Sequence, residues 1–153
     1  MVMKKFLNKP ESIADEVLEG LAGAYCDKIA LAGNRIVVRA VAKPTDKVAV
    51  ITMGGGGHEP ALSGFVGEGM LDASVVGDVF AAPNAVSVLT ALRKFKDYAG
   101  ILLVVLNHAG DVMSANMALK MAAREGINVK SILVSDDISA GLDTPKADRR
   151  GLA

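Results

Sequence analysis

The sequence has little of several features that mark secreted, membrane-spanning or nucleic-acid-binding proteins. Its single cysteine, Cys26, cannot form an internal disulfide, which fits a reducing cytoplasm. Tryptophan is absent and aromatic residues make up 4%, so no stacking platform for single-stranded nucleic acid is expected. The longest uninterrupted apolar run, residues 101–106, is far too short to span a bilayer. Asn8, Lys9 and Pro10 interrupt the N-terminal segment, so no signal-peptide core is predicted.

The charge balance also excludes some partners. Lysine plus arginine and aspartate plus glutamate each number 17, which gives a formal net charge of +0 with no block of like charge. A nucleic-acid or anionic-membrane surface would need a clustered basic footprint, so we expect no nucleic acid and no membrane as partners. With 153 residues and 51% apolar content, the chain is predicted to form a single domain with its own core.

Short strand-like and helix-like segments alternate along the chain. Apolar and β-branched runs predict strands at 35–39, 47–51, 74–76, 100–106 and 128–134. Helical spacing predicts helices that begin near Pro10, Asn84 and Asp111. This alternation predicts an α/β fold with an open, mostly parallel sheet and helices on both faces. Because residues 101–106 are all apolar, their strand is expected to be central and covered on both sides.

A run of four glycines, residues 54–57, follows the strand at 47–51 and leads into His58, Glu59 and Pro60. Glycine has no Cβ, so such a loop lets the backbone approach a small molecule closely. Loops that begin near residues 52, 77, 107 and 135 should converge at the carboxyl edge of a parallel sheet, where open α/β folds bind their ligands. That edge would carry His58, Glu59, Asp78, His108, Asp111, Asp136 and Asp137.

The glycine run does not predict nucleotide binding. A phosphate-binding P-loop needs a lysine and a serine or threonine directly after its last glycine, where this chain has His58, Glu59 and Pro60. The acidic residue of a dinucleotide-binding fingerprint is not clearly placed either. The floor of a site for another kind of small molecule is the better interpretation.

Each candidate residue also has a purely structural interpretation. His58 could tie down its own loop, and His108 could be an ordinary loop residue. Asp111 could be the N-cap of the helix that follows, a role that does not exclude contact with a substrate hydroxyl. Asp136 and Asp137 lack a third ligand at proper spacing, so we predict a turn and no metal site. The methionines of the Asp111 helix sit at helical spacing and are predicted to fill the core; they are Met113, Met117 and Met121.

Five motifs, in this order and spacing, resemble the dihydroxyacetone kinase family. They match the first half of its ketose-binding subunit or domain, often called DhaK, and they cover nearly the whole chain. The motifs are residues 54–60, 64–71, 77–80, 107–111 and 134–137. The resemblance implies that residues 1–153 form a single α/β domain equivalent to that N-terminal half, with the second half absent from this sequence.

The resemblance also implies an activity and a site. Such proteins phosphorylate dihydroxyacetone or a related short ketose, held as a covalent hemiaminal on a histidine. That histidine belongs to the second half of the family's chain, and neither His58 nor His108 matches it by position. His58 matches the family's hydrogen-bonding catalytic histidine, and Asp111 matches its proposed base on the hydroxyl. The substrate-binding residues implied are Gly54, Gly55, Gly56, Gly57 and Asn107.

Further expectations concern cofactors and partners. The resemblance implies that this chain binds no cofactor itself. ATP or ADP with magnesium is expected on a nucleotide-binding DhaL-type domain or subunit, and a phosphoprotein is a possible donor. A cytoplasmic homo-oligomer, commonly a dimer in the family, is expected, together with a second DhaK half. The alternative is a non-catalytic ketose-sensing regulatory paralogue that binds a ketose and a protein partner.

Two positions depart from the family pattern. The bacterial form commonly has a lysine two residues before the position of His108, where this chain has Leu106, and a serine within the glycine run, where it has Gly56. Both replacements remove polar contacts near the ligand. We therefore expect weaker binding or a preference for a longer ketose.

Overall fold

Six strands and three helices make up the computed structural model, which describes residues 4–33 and 35–152. Three short 3-10 turns complete the pattern, at Pro10–Ser12, Ser63–Phe65 and Lys146–Asp148. In chain order the main elements are α1 (Ile13–Ala24), β1 (Ile29–Leu31), β2 (Ile36–Arg39), β3 (Val48–Gly56), β4 (Ala73–Val79), α2 (Ala85–Lys94), β5 (Gly100–Leu106), α3 (Ala109–Arg124) and β6 (Val129–Val134).

The strands form one sheet in the order β1-β2-β4-β3-β5-β6. β3 pairs in parallel with both β4 and β5, and β5 pairs in parallel with β6. At the other edge, β2 runs antiparallel to β4, and β1 runs antiparallel to β2. This edge of the sheet therefore differs from the parallel part. The predicted mostly parallel α/β fold is confirmed.

Helices cover both faces of the sheet, as predicted. On one face, α2 and α3 bury a large cluster through residues such as Leu89 and Ala118 against Ile51 and Leu103. On the other face, Leu18 of α1 packs in a smaller cluster with Val37 and Val76. Successive residues of a strand point to opposite faces, and β2 and β4 contribute buried residues to both clusters.

The prediction that β5 is covered on both sides is correct for only one of them. Ile101, Leu103 and Val105 are buried on the side of α2 and α3. Leu102 and Val104, which point to the other face, are only half-buried. α1 lies over β1 and β4, so it does not reach this part of the sheet.

The prediction that the methionines of α3 fill the core is wrong for Met113 and Met117, which are 69% and 58% exposed. The buried face of α3 is built instead from Ala115, Ala118 and Ala122. Alanine lets a helix lie close to its neighbours, so helical spacing of the larger methionines does not identify the packed side. Only Met121 packs, partly buried, against the core cluster.

Two strands differ from the prediction. β1 follows the first helix, where no strand is predicted, and β3 continues to Gly56, through most of the glycine run. The loop at the site therefore begins later than the predicted residue 52.

None of the described helices is both long and apolar enough to cross a membrane.

Candidate functional site

A cavity of about 400 Å³ opens at the carboxyl ends of β3 and β5. Its walls come from the end of β3 and the loop after it, the turn after β4, the start of α3, and the C-terminal residues 151–152. The predicted convergence of the loops holds for three of the candidate side chains. His58, His108 and Asp111 all line this cavity.

Asp111 is the buried polar group of the cavity, with only 7% of its surface exposed. It is the third residue of α3, and His108 occupies the N-cap position, so the predicted N-cap role of Asp111 is wrong. Its Oδ1 atom is buried and receives no hydrogen bond from any of the described residues. A buried acceptor without a partner carries a desolvation penalty, which a donor from a bound ligand would relieve.

Burial raises the pKa of the Asp111 carboxyl above its ordinary value, because the charged form is poorly solvated there. Nearby His108 and His58 lower the same pKa to a smaller extent. The result is a carboxylate that is a stronger base than one in water. This combination of a raised pKa and an accessible cavity suits a general base.

The two histidines are held differently. The His108 ring is fixed by a 2.9 Å hydrogen bond between Nε2 and the backbone oxygen of Gly151. His58 is exposed and lies in the loop after β3, with its ring edge-on to Phe80 at 5.0 Å between centroids. Both rings are close enough to Asp111 to influence its charge.

The glycine run serves the packing of the turn after β4. A Cβ at Gly55 would lie 2.8 Å from Ala81 N, and one at Gly57 would lie 3.1 Å from a ring carbon of Phe80. Gly54 and Gly55 also line the cavity, whereas Gly56 and Gly57 lie outside its lining. The absence of side chains on the run therefore lets the end of β4 cross it closely.

Other candidates from the predicted edge lie away from the cavity. The Glu59 carboxylate accepts hydrogen bonds from its own loop, from the N–H of Gly57 at 2.9 and 3.1 Å. Asp78 pairs with Arg35, and neither residue lines the cavity. Asp136 and Asp137 cap backbone N–H groups of Leu152 and Ser139. These carboxylates stabilise loops at the edge of the site.

Residues 147–152, which we call the C-terminal strap, close one side of the cavity. No periodicity or motif in the sequence indicates this role. The amide of Asn107 donates to the backbone oxygens of Ala147 and Arg149, at 3.2 and 2.6 Å. Asn107 therefore lies outside the cavity lining and holds the strap, while its predicted contact with substrate stays a prediction. A Cβ at Gly151 would lie 2.7 Å from Asn107 N and closer still to Val134 O, so only glycine fits there.

No lysine or arginine lines the cavity among the described residues. In residues 4–33 and 35–152 there is also no group of three His, Cys, Asp or Glu side chains that could hold a metal ion. The cavity thus combines one buried carboxylate and two imidazoles with apolar walls such as Leu62 and Leu106. That chemistry suits a small neutral molecule with hydroxyl groups better than an anion.

The raised pKa of Asp111 makes a prediction about stability. The folded protein holds the Asp111 proton more tightly than the unfolded chain, so this residue lowers stability as pH rises through its pKa. Asp111→Asn is therefore expected to unfold at a higher temperature than the wild type at about pH 8, with a difference that shrinks toward acid pH. Thermal unfolding followed by circular dichroism across this pH range measures the effect.

Glu125→Gln is the matched control, because Glu125 is the C-cap of the same helix. The hydrogen bond from Arg93 lowers the pKa of Glu125, so its contribution has the opposite sign. This variant should lose a little stability at neutral pH and match the wild type in acid. A less stable Asp111→Asn at about pH 8 would contradict the account of Asp111 as a buried carboxylate without a partner.

Comparison with known proteins places this geometry in a family. Residues 19–153 match the model of the Dak1 domain. The chain is 39% identical, over 98% of its length, to the dihydroxyacetone-binding subunit DhaK of the PTS-dependent dihydroxyacetone kinase of Lactococcus lactis, and it spans 45% of that subunit.

Solved structures agree with this result. The dihydroxyacetone kinase from C. freundii, in complex with AMP-PNP and Mg2+, superposes with a TM-score of 0.88 and 40% identity, over 99% of this chain and 28% of the kinase chain. A dihydroxyacetone kinase operon co-activator, Dha-DhaQ, superposes with a TM-score of 0.81 and 34% identity, over 90% of this chain and 42% of its own. The chain belongs to the Dak1 domain family, which confirms its resemblance to the dihydroxyacetone kinases.

Proposed function

We propose that this chain is the ketose-binding part of a dihydroxyacetone-kinase-type phosphotransferase. It would act on a terminal hydroxyl of dihydroxyacetone or a related short ketose, together with a second DhaK half and a phosphate-donating partner. The observation that carries the proposal is Asp111 Oδ1, a buried acceptor without a partner among the described residues, in a cavity shared with His58 and His108.

The chemistry follows from the three side chains. A hydroxyl of the ketose would donate its hydrogen bond to Asp111 Oδ1, and His58 would orient that hydroxyl through a second hydrogen bond. As the hydroxyl oxygen forms its bond to phosphorus, its proton passes to the Asp111 carboxylate. The bond from phosphorus to the leaving group of the donor breaks on the side opposite the attacking oxygen, and the leaving group, which is ADP where ATP is the donor, keeps the electron pair.

The donor belongs to another part of the assembly. The cavity walls lack lysine and arginine among the described residues, so the charge of the transferring phosphoryl group has to be neutralised from outside. We therefore assign ATP, or ADP with a phosphoprotein donor, and magnesium to a DhaL-type domain or subunit. We also propose that the assembly is cytoplasmic and that this chain forms a homo-oligomer such as a dimer.

The test is phosphorylation in the complete assembly, with this chain, a second DhaK half and the DhaL-type partner present together. Dihydroxyacetone phosphate should form with either ATP–Mg or a phosphoprotein donor, and omission of this chain should abolish it. The proposal fails if the assembly binds nucleotide but transfers no phosphate to any triose or tetrose ketose.

The second candidate is a ketose-sensing regulatory protein that does not transfer phosphate. The similarity to an operon co-activator over 90% of this chain favours it. Calorimetry separates the two functions, because a sensor should bind ketose in the complete assembly while the phosphorylation assay stays negative. Absence of both binding and transfer would leave neither function tenable.

Leu106 gives a prediction about the choice of ketose. Its buried side chain lines the cavity and offers no hydrogen bond, at the position where the bacterial family commonly has lysine. Leucine is shorter than lysine, so a fourth carbon gains room while dihydroxyacetone loses a polar contact. The wild type should therefore favour a tetrose ketose, and Leu106→Lys should shift the kcat/KM ratio toward dihydroxyacetone by roughly tenfold.

Steady-state kinetics with dihydroxyacetone and erythrulose measure this ratio. Leu102→Lys is the control, since Leu102 lies on the same strand but outside the cavity lining. A clear preference of the wild type for dihydroxyacetone would rule out the shift toward a longer ketose. Gly56→Ser tests the second departure in the same assay, because a Cβ at Gly56 would have no neighbour closer than 3.6 Å.

A further inference from the structure

Three described residues other than glycine have positive φ angles, and two of them line the cavity. Arg35, Leu62 and Phe80 have φ values of 57°, 64° and 56°. Leu62 and Phe80 line the cavity, and Arg35 donates to Asp78, two residues before Phe80. Residues with side chains rarely adopt these angles, so the surrounding contacts must hold them there.

The backbone of Phe80 is held from two sides. Its N–H donates to the backbone oxygen of Gly56 at 2.8 Å, which ties the turn after β4 to the end of β3. The N–H of Ala81 closes the turn by donating to the oxygen of Asp78 at 3.0 Å. The Asp78 carboxylate is in turn bound by Arg35, which also contacts Asp15 of α1 at 2.6 and 3.0 Å.

The side chain of Phe80 gains little from burial, since the residue is 72% exposed. Its ring contacts the His58 ring edge-on, with 5.0 Å between centroids and 61° between planes. It also approaches Gly57 so closely that a Cβ there would lie 3.1 Å from one of its carbons. The Phe80 ring is thus exposed, its backbone is held in an unfavourable conformation, and the ring contacts the His58 imidazole and lies close to Gly57.

His58 has little else to orient it. Among residues 4–33 and 35–152, no side-chain hydrogen bond to the His58 ring is present, and the residue is exposed. The backbone oxygen of His58 accepts a hydrogen bond from the N–H of Ala61 at 3.0 Å, but this bond does not fix the ring. His108, by contrast, is fixed through Nε2. Among the aromatic rings of the described residues, Phe80 is the one that contacts the His58 ring and can restrict it.

We propose that Phe80 is a positioning residue that holds the His58 imidazole in the plane required to orient the substrate hydroxyl beside Asp111. This inference rests on the proposed function for its kinetic consequence, and on the structure alone for the contact. A ring held in advance does not have to be ordered when the substrate binds, so a larger fraction of bound complexes is ready to react.

The test uses Phe80→Gly, because glycine adopts a φ of 56° without strain and the substitution removes the whole side chain with its ring. The chain contains two histidines, so the imidazole Hε1 protons give two NMR signals, which His108→Gln assigns. In Phe80→Gly the His58 signal should lose its ring-current shift. In the complete assembly, kcat for ketose phosphorylation should fall about tenfold while KM changes much less.

Phe80→Tyr keeps the ring and should retain the His58 shift and most of the activity. Phe80→Asn is a second ringless variant in case the glycine turn does not fold, because asparagine also tolerates left-handed angles. If Phe80 served only to form the turn, Phe80→Gly would keep full activity, and that result would overturn the proposal.

The outcomes also separate this proposal from the proposed function. An unchanged His58 signal in Phe80→Gly would overturn the contact, whatever the kinetics show. A moved signal with unchanged kcat would overturn the positioning role. If the wild-type assembly transfers no phosphate, the proposed function fails and the positioning role fails with it, while the NMR signal still decides whether the contact exists.

Discussion

Asp111→Asn is expected to lower kcat for ketose phosphorylation in the complete assembly by about 10²–10⁴-fold, the range typical for loss of a general base. Asparagine has nearly the same shape as aspartate but accepts no proton. The variant should still bind the ketose, because its side-chain oxygen can occupy the place of Asp111 Oδ1, which has no partner among the described residues. The loss should therefore appear in kcat far more than in KM.

The pH dependence of the wild type gives an independent check. A base has to be deprotonated to act, so kcat/KM should rise with pH through the pKa that Asp111 has in the free protein. Because burial raises this pKa, the acid limb should lie above the range of an ordinary aspartate. Asp111→Asn should have no such limb in its residual activity.

Glu125→Gln makes the same chemical change at the other end of α3 and should keep wild-type kcat. Its carboxylate pairs with Arg93 at 2.6 Å, far along the helix from the cavity. If Asp111→Asn retained full turnover, Asp111 could not be the base, and its burial would have to be explained by packing alone. Thermal unfolding of both variants tests whether a loss of activity comes from a loss of structure.

The parts of the fold that depend on local pattern could be predicted from the sequence. Asn84 caps α2 by accepting a hydrogen bond from Ser87 N at 2.9 Å, and Arg93 and Lys94 lie in the last turn, as their positions indicate. The wholly apolar run of β5 likewise identified a strand in the parallel part of the sheet. In each case the signal lies within one element.

Other features depend on contacts between distant segments, and no local pattern reveals these. The glycine run continues β3 because Gly54 and Gly56 pair with Val76 and Val79 of β4. Met113 and Met117 are exposed because the alanines of α3 make the close approach to the sheet. Val86 of α2 is also exposed, because the buried side of this helix carries Ala85 and Leu89.

The candidate site also has a part that the sequence predicts and a part that depends on contacts between distant segments. Parallel strands bring His58, His108 and Asp111 to one cavity, and this follows from the topology once the strands are known. The C-terminal strap could not be foreseen, because its residues have neither periodicity nor a motif. Its position becomes clear only from the hydrogen bonds of Asn107 and His108, which hold it against the cavity.

Gly77→Ala is expected to destabilise the fold by about 3 kcal/mol or more, the upper range for overpacking a buried position. A Cβ at Gly77 would lie 2.7 Å from Ala82 C and closer still to Ala81 O. Both are backbone atoms, so no side-chain rotation can relieve the overlap, and the turn after β4 would have to move as a whole. Chemical denaturation of the isolated chain measures the loss.

Gly20→Ala is the matched control, because Gly20 lies in the exposed part of α1, where an added Cβ would have no atom within 4 Å. That variant should gain about 0.5–1 kcal/mol, since alanine favours a helix more than glycine does. The opposite signs of two identical changes would show that contact with the turn, and not the loss of glycine as such, decides the result. A Gly77→Ala variant as stable as the wild type would mean that the turn after β4 can shift freely. The turn could then not be a rigid support for Phe80 and His58.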